Sequence, residues 1–218
     1  MALSALLLLA IGVGGWGYAV QWGPSEKTYP VQGIDVSHHQ GRIDWSALPG
    51  QGVRFAYIKA SEGEQYRDSR FQENWQGAVS AGLARGAYHF FSFCRPGAAQ
   101  AANFIATVPA RQPMLPPVVD VEMGGNCAAL PSKAALITQL TIFIRMVEAH
   151  FGQPVTLYMT QECDEAYGLS AQIPRRLWLR RLVLEPRWSP RPWSIWQASN
   201  FRYLRGITGR VDWNVMRP

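Results

Sequence analysis

From Val31 onward the chain alternates short strand-like runs with helix-patterned stretches, and this order constrains the fold more than any other feature. The first runs are GIDVS (33–37), VRFAYIKAS (53–61), ARGAYHFF (84–91) and PVVDVEM (117–123). Between them, 70–83 reads as an amphipathic helix and 98–107 as a second helical stretch. Ser132 is a good N-cap for a long helix reaching about His150, with Leu136, Leu140, Phe143 and Val147 on one face. Four further strands are expected at 154–160, 176–183, 193–199 and 210–215, with less helical sequence among them. Strands separated by helices argue for a parallel sheet with crossover connections. Eight of them suit an α/β fold, a modified (β/α) barrel with fewer than eight helices.

Residues 2–20, ALSALLLLAIGVGGWGYAV, carry no charge. The stretch is long for a signal peptide and about right for a membrane-spanning helix. It reads as an uncleaved anchor, or as a signal cut after Ala19; either way the rest of the chain is exported. The expected organisation is therefore an apolar segment (1–20), a polar linker (21–30) and one domain (31–218). Gly12, Gly14 and Gly17 formally make GxGxxG, but no strand precedes them, so the match is accidental. The net charge of +6 favours polyanionic partners, yet no nucleic-acid module pattern accompanies it. Three cysteines, Cys94, Cys127 and Cys163, allow one disulfide in an exported chain and leave one thiol over.

The most informative segment for chemistry is LPPVVDVEMGG. In a strand, positions i and i+2 share a face, so Asp120 and Glu122 project together from an otherwise apolar run. Burying the two side by side is costly, and like-charge proximity should raise one of the two pKa values, leaving an acid beside an ionised partner. Glycoside hydrolysis needs such a pair, and barrel active sites are built at strand C-terminal ends. Asp35 in GIDVS and Asp212 in RVDWN repeat the placement, so four acids could converge at one mouth. His38 and His39 would point to opposite sides of a strand and lack HExxH, which argues for hydrogen bonding rather than a metal site. Ser37 with His89 lacks the GxSxG of a nucleophile elbow.

GIDVSHHQGRIDW, FAYIKASEG, GAYHFF, PPVVDVEM and the late IWQ and VDWN together resemble glycoside hydrolase family 25, the Chalaropsis-type lysozymes, from about Val31 onward. The resemblance implies a modified barrel that cleaves the β-1,4 bond between N-acetylmuramic acid and N-acetylglucosamine in peptidoglycan, as a monomer without metal or organic cofactor. It places the general acid at Glu122 and an assisting carboxylate at Asp120, with Asp35 and Asp212 completing the catalytic set. Tyr88, Tyr158, Trp196 and Gln197 become candidate substrate-binding residues, the last two near the floor of the groove. In such a barrel Cys94 and Cys127 follow the third and fourth strands on neighbouring loops, which makes them the expected disulfide. The sixth strand departs from the family: RRLWLRRLVLEP puts Arg180 and Arg181 where a small or aromatic residue is more usual, so that they either alter one groove wall or one of them pairs with an acid of the site. The alternative function is a membrane-tethered, non-catalytic peptidoglycan-binding module, and the four acids count against it.

Overall fold

The computed structural model describes residues 20–110, 112–123, 127 and 129–218; the apolar stretch 2–19 and its glycine pattern lie outside the described residues. Strands β1 (Gln32–Val36) and β2 (Phe55–Glu62) run parallel, and a short β3 (Tyr66–Arg67) folds back against the end of β2. Helix α1 (Phe71–Ser80) leads to β4 (Ala84–Phe90), and α2 (Gly97–Thr107) leads to β5 (Val118–Val121). Helix α3 (Lys133–Phe151) precedes β6 (Thr156–Thr160). The short helices α4 (Gln161–Tyr167) and α5 (Leu169–Gln172) precede β7 (Arg176–Arg180), β8 (Ile195–Arg202) and β9 (Val211–Met216).

The order β1-β9-β8-β7-β6-β5-β4-β2 closes on itself through β1–β2, giving an eight-stranded barrel with β3 as a flap. Seven barrel strands are parallel, and β9 is antiparallel to both neighbours. Only residues 203–210 join β8 to β9, too few for the dozen or so that a parallel crossover needs. The chain therefore turns straight back, and the parallel sheet expected from the sequence is mixed at this one strand.

Period-two alternation divides the apolar residues between two compartments. Phe55, Tyr57, Val118, Tyr158, Trp178 and Ile195 fill the barrel interior. Ile34, Ile58, Val119, Val121, Leu157 and Leu177 face outward into the layer covered by helices. Gly86 on β4 makes room for the inner set, because a Cβ there would overlap the Tyr57 ring. Helix α3 starts where Ser132 Oγ accepts from Ala135 N at 3.3 Å and stops at Gly152, whose φ of 68° suits the missing side chain. It buries Leu136, Leu140, Phe143, Ile144 and Val147, each worth about 1.5–3 kcal/mol when fully removed from water. The segment 21–30 lies on the barrel: Trp22 and Tyr29 pack on the outer core, and Gln32 Nε2 donates to the carbonyls of Pro24 and Tyr29 at 2.9 Å each.

Cys94 and Cys127 are joined, tying the loop after β4 to the loop after β5 at a Cα–Cα distance of 5.6 Å; Cys163 stays free and buried. A cross-link over 33 residues restricts the unfolded chain by about 3–4 kcal/mol on loop-entropy grounds. Cys94→Ser should therefore lower the unfolding free energy by about 3 kcal/mol in denaturant titrations, while reductant should change the variant's midpoint little.

Candidate active site

The C-terminal ends of the parallel strands surround a cavity of about 220 Å³. Asp35 enters it from β1, Lys59 from β2, Tyr88 from β4, Asp120 from β5, Tyr158 from β6 and Asp212 from β9. Glu122 lies one residue beyond the end of β5 and still faces the same cavity as Asp120. A larger hollow of about 760 Å³ on the flank also contains acids, but these are engaged locally. Asp44 caps Ser46 N at 3.1 Å, and Glu73 pairs with Arg70 at 2.6 Å. Convergence of groups, rather than volume, marks the site.

A directed hydrogen-bond chain holds the floor. Trp178 Nε1, which can only donate, reaches Asn214 Oδ1 at 2.9 Å and so fixes the amide's orientation. Asn214 Nδ2 then donates to Asp35 Oδ2 at 2.7 Å. Gln197 Nε2 donates to the same oxygen at 3.2 Å, while Tyr158 OH donates to Gln197 Oε1 at 3.0 Å. Asp35 and Asp212 face each other across the β1–β9 pair and are hydrogen-bonded. Burial holds Asp35 above the usual carboxylate range, against the two amide donors that favour its charge. Burial, then the negative charge of Asp35, pushes Asp212 up to about 8.

Asp120 is the deeper member of the i, i+2 pair. Burial raises it well above its ordinary value, helped by the charges of Glu122 and Asp35, and its Oδ1 has no hydrogen-bond partner among the described residues. Glu122 is also raised, first by burial, with Arg180 opposing at 4.0 Å. Burial thus disfavours charge on all four acids, and Asp212 keeps its proton at neutral pH. Asp120 is the more buried of the pair, and Glu122 has the Arg180 cation beside it.

The raised pKa of Asp212 has a consequence for stability. Its contribution is complete below the unfolded value near 4 and is lost as pH rises towards about 8, because the folded state holds a proton the unfolded state releases. Asp212→Asn, an uncharged near-isostere, should match the wild type near pH 4. By pH 8 it should be more stable by about 1 kcal/mol or more, and thermal melts across that range would measure the divergence. Equal pH slopes for the two proteins would refute the burden.

Of the residues singled out in the sequence, Asp35, Asp120, Glu122, Asp212, Tyr88, Tyr158 and Gln197 meet around this cavity. Trp196 does not, and the expectation is corrected: it is one residue out of phase with Gln197, faces the outer core, and donates from Nε1 to Arg181 O at 2.6 Å. Trp178 takes the place expected of it. Lys59 and Asn214 were not foreseen. Lys59 is the charged residue in phase with Phe55 and Tyr57, and Asn214 repeats the i, i+2 spacing from Asp212. Lys59 Nζ binds Glu62 at 2.6 Å and lies over the Phe90 ring.

The histidines are not on a strand. His38–Gln40 forms a 3-10 turn in which the two imidazoles lie 4.0 Å apart, and His38 Nδ1 meets Asp68 at 2.8 Å. Among the described residues no His, Cys, Asp and Glu group has metal-binding geometry. His89 points out of the barrel, bonded to Ser61 at 2.8 Å and stacked on Phe143, and burial lowers its pKa to about 3. It is a core histidine, remote in role from Ser37.

A β/α barrel with paired carboxyls at its C-terminal mouth defines the class: a glycoside hydrolase. The chain belongs to glycosyl hydrolases family 25, whose model matches residues 34–207. It is 36% identical to Lysozyme M1 of Streptomyces globisporus over 88% of this chain and 71% of that protein. It is 33% identical to the N,O-diacetylmuramidase of Chalaropsis sp over 84% of this chain and 96% of that one. A solved family 25 glycosyl hydrolase from Bacillus anthracis superposes with a TM-score of 0.83 at 36% identity, covering 91% of this chain and 93% of its own.

Proposed function

We propose that the chain is a muramidase that hydrolyses the β-1,4 bond between N-acetylmuramic acid and N-acetylglucosamine in peptidoglycan. The observation that carries the reading is the meeting of Asp35, Asp120, Glu122 and Asp212 in one cavity at the barrel mouth, in a family whose relatives include a lysozyme and an N,O-diacetylmuramidase. The apolar segment 1–20 delivers the barrel to the wall side of the membrane, as a retained anchor or a cleaved signal.

Glu122 protonates the leaving glycosidic oxygen. Asp120 offers its unpartnered Oδ1 to the N–H of the sugar's 2-acetamido group, whose carbonyl oxygen stabilises the positive charge developing at the anomeric carbon. That hydrogen bond favours the ionised form of Asp120 and leaves Glu122 as the member of the pair that carries the proton. Asp35, held by Asn214 and Gln197, and Asp212 fix the floor against which the pair works. Tyr88 and Tyr158 present aromatic surface to the sugar.

Incubating the purified chain with defined peptidoglycan and identifying the new reducing ends by mass spectrometry tests the reading. Fragments ending in N-acetylmuramic acid support it. Ends on N-acetylglucosamine, cleavage of chitin oligomers instead, or wall binding without cleavage would each overturn it.

A further inference from the structure

Two cations stand beside the candidate site, and they differ in what they already hold. Lys59 is buried and bonded to Glu62 at 2.6 Å. Arg180, the last residue of β7, stands at the rim next to Glu122, with about a third of its side chain exposed. Its nearest acid oxygen is Glu122 Oε2 at 4.0 Å, too far for a hydrogen bond, and its guanidinium donates no hydrogen bond to any described residue. Neighbouring arginines are engaged: Arg181 donates to Glu185 O at 3.1 Å, Arg175 to Glu148 at 2.9 Å, and Arg191 to Ile173 O at 2.7 Å. A planar guanidinium with no donor taken up by a described residue, at the mouth of a cleft, matches a carboxylate in charge and fork geometry.

We propose that Arg180 is a substrate-binding residue that selects glycan carrying a free carboxylate on the muramyl unit, exchanging Glu122 for that carboxylate as the strand enters. The carboxylate is the lactyl group where the peptide has been removed, or an acidic residue of an attached peptide stem. The inference rests on the muramidase reading above. Giving up the existing contact costs little, since a partly exposed ion pair at 4.0 Å is weak. The bound carboxylate gains charge-assisted hydrogen bonds that Glu122 does not make. Drawing the cation away also leaves Glu122 better able to keep the proton it must deliver, so recognition and readiness for chemistry become one event.

The test measures kcat/KM of the full chain on four substrates: peptide-free glycan with lactyl carboxylates free or methyl-esterified, and stem-bearing glycan with stem carboxylates free or amidated. The wild type should prefer the free form of at least one pair by about tenfold, the equivalent of one good charge-assisted contact. Which pair shows the preference identifies the source of the carboxylate. R180M should lose the preference, and R180K should keep part of it. Equal cleavage within both pairs by the wild type, or an undiminished preference in R180M, overturns the proposal. If R180M fails to fold, the wild-type ratios and R180K decide. Failure of the wild type on all four substrates would instead remove the muramidase reading, and this proposal with it.

Discussion

Glu122→Gln is expected to leave a folded protein whose kcat on peptidoglycan falls by about 10²–10⁴-fold, the range a positioned general acid supplies. Glutamine keeps the size and most of the hydrogen-bonding reach of the side chain, but it has no acidic proton to give. Folding should not suffer, because the substitution removes one charge from a crowded acid cluster in which burial already disfavours ionisation. The specific signature is dependence on the leaving group. A glycan alcohol needs its oxygen protonated as the bond breaks, whereas an aryl leaving group departs without that help. The deficit should therefore shrink markedly on an aryl glycoside of the same sugar. A variant that turns over peptidoglycan at near-normal rate, or that is equally impaired on both substrates, would remove Glu122 from the role of acid.

Much of this site was legible in the sequence because strand phase is visible there. Asp120 and Glu122 are polar interruptions, two residues apart, in an apolar run, and the structure does put both on one cavity. Asp35 and Asp212 were legible for the same reason. What was not legible is phase in strands that are apolar on both faces, as barrel strands covered by helices must be. In WSIWQAS nothing in the pattern says that Gln197 faces inward and Trp196 outward, and RLWLR does not reveal that Trp178 and Arg180 share the inner phase. The direction of β9 needed attention to loop length rather than periodicity. The run GIDVS places Ser37 at the end of the first strand, whereas its side chain caps the 3-10 turn at His38–Gln40. Sequence places two acids together, but which one is deeper depends on how far each lies along β5, and only the folded barrel fixes that.

Asp120→Asn is the second large effect, with kcat expected to fall by about 10²–10³-fold, the cost of removing one preorganised electrostatic group from a transition state. KM should change far less, since the amide still presents an oxygen to the sugar's N–H in the ground state. What is lost is negative charge, which matters only as the acetamido group begins to share positive charge with the anomeric carbon. The unpartnered Oδ1 of Asp120 is what ties the argument to this residue: a buried carboxylate oxygen with no donor among the described residues is unfavourable unless the substrate brings one. Removing the acetamido participation should therefore erase the difference between wild type and variant. On a substrate whose 2-acetamido is replaced by hydroxyl, both proteins should be slow to a similar degree. The wild-type product should keep the configuration of the substrate, as two successive displacements require, and NMR of the first-formed anomer reports this directly. Inversion, or a covalent sugar ester trapped on Asp120, would mean that the carboxylate acts as base or nucleophile itself, and the orienting role assigned to it would fall.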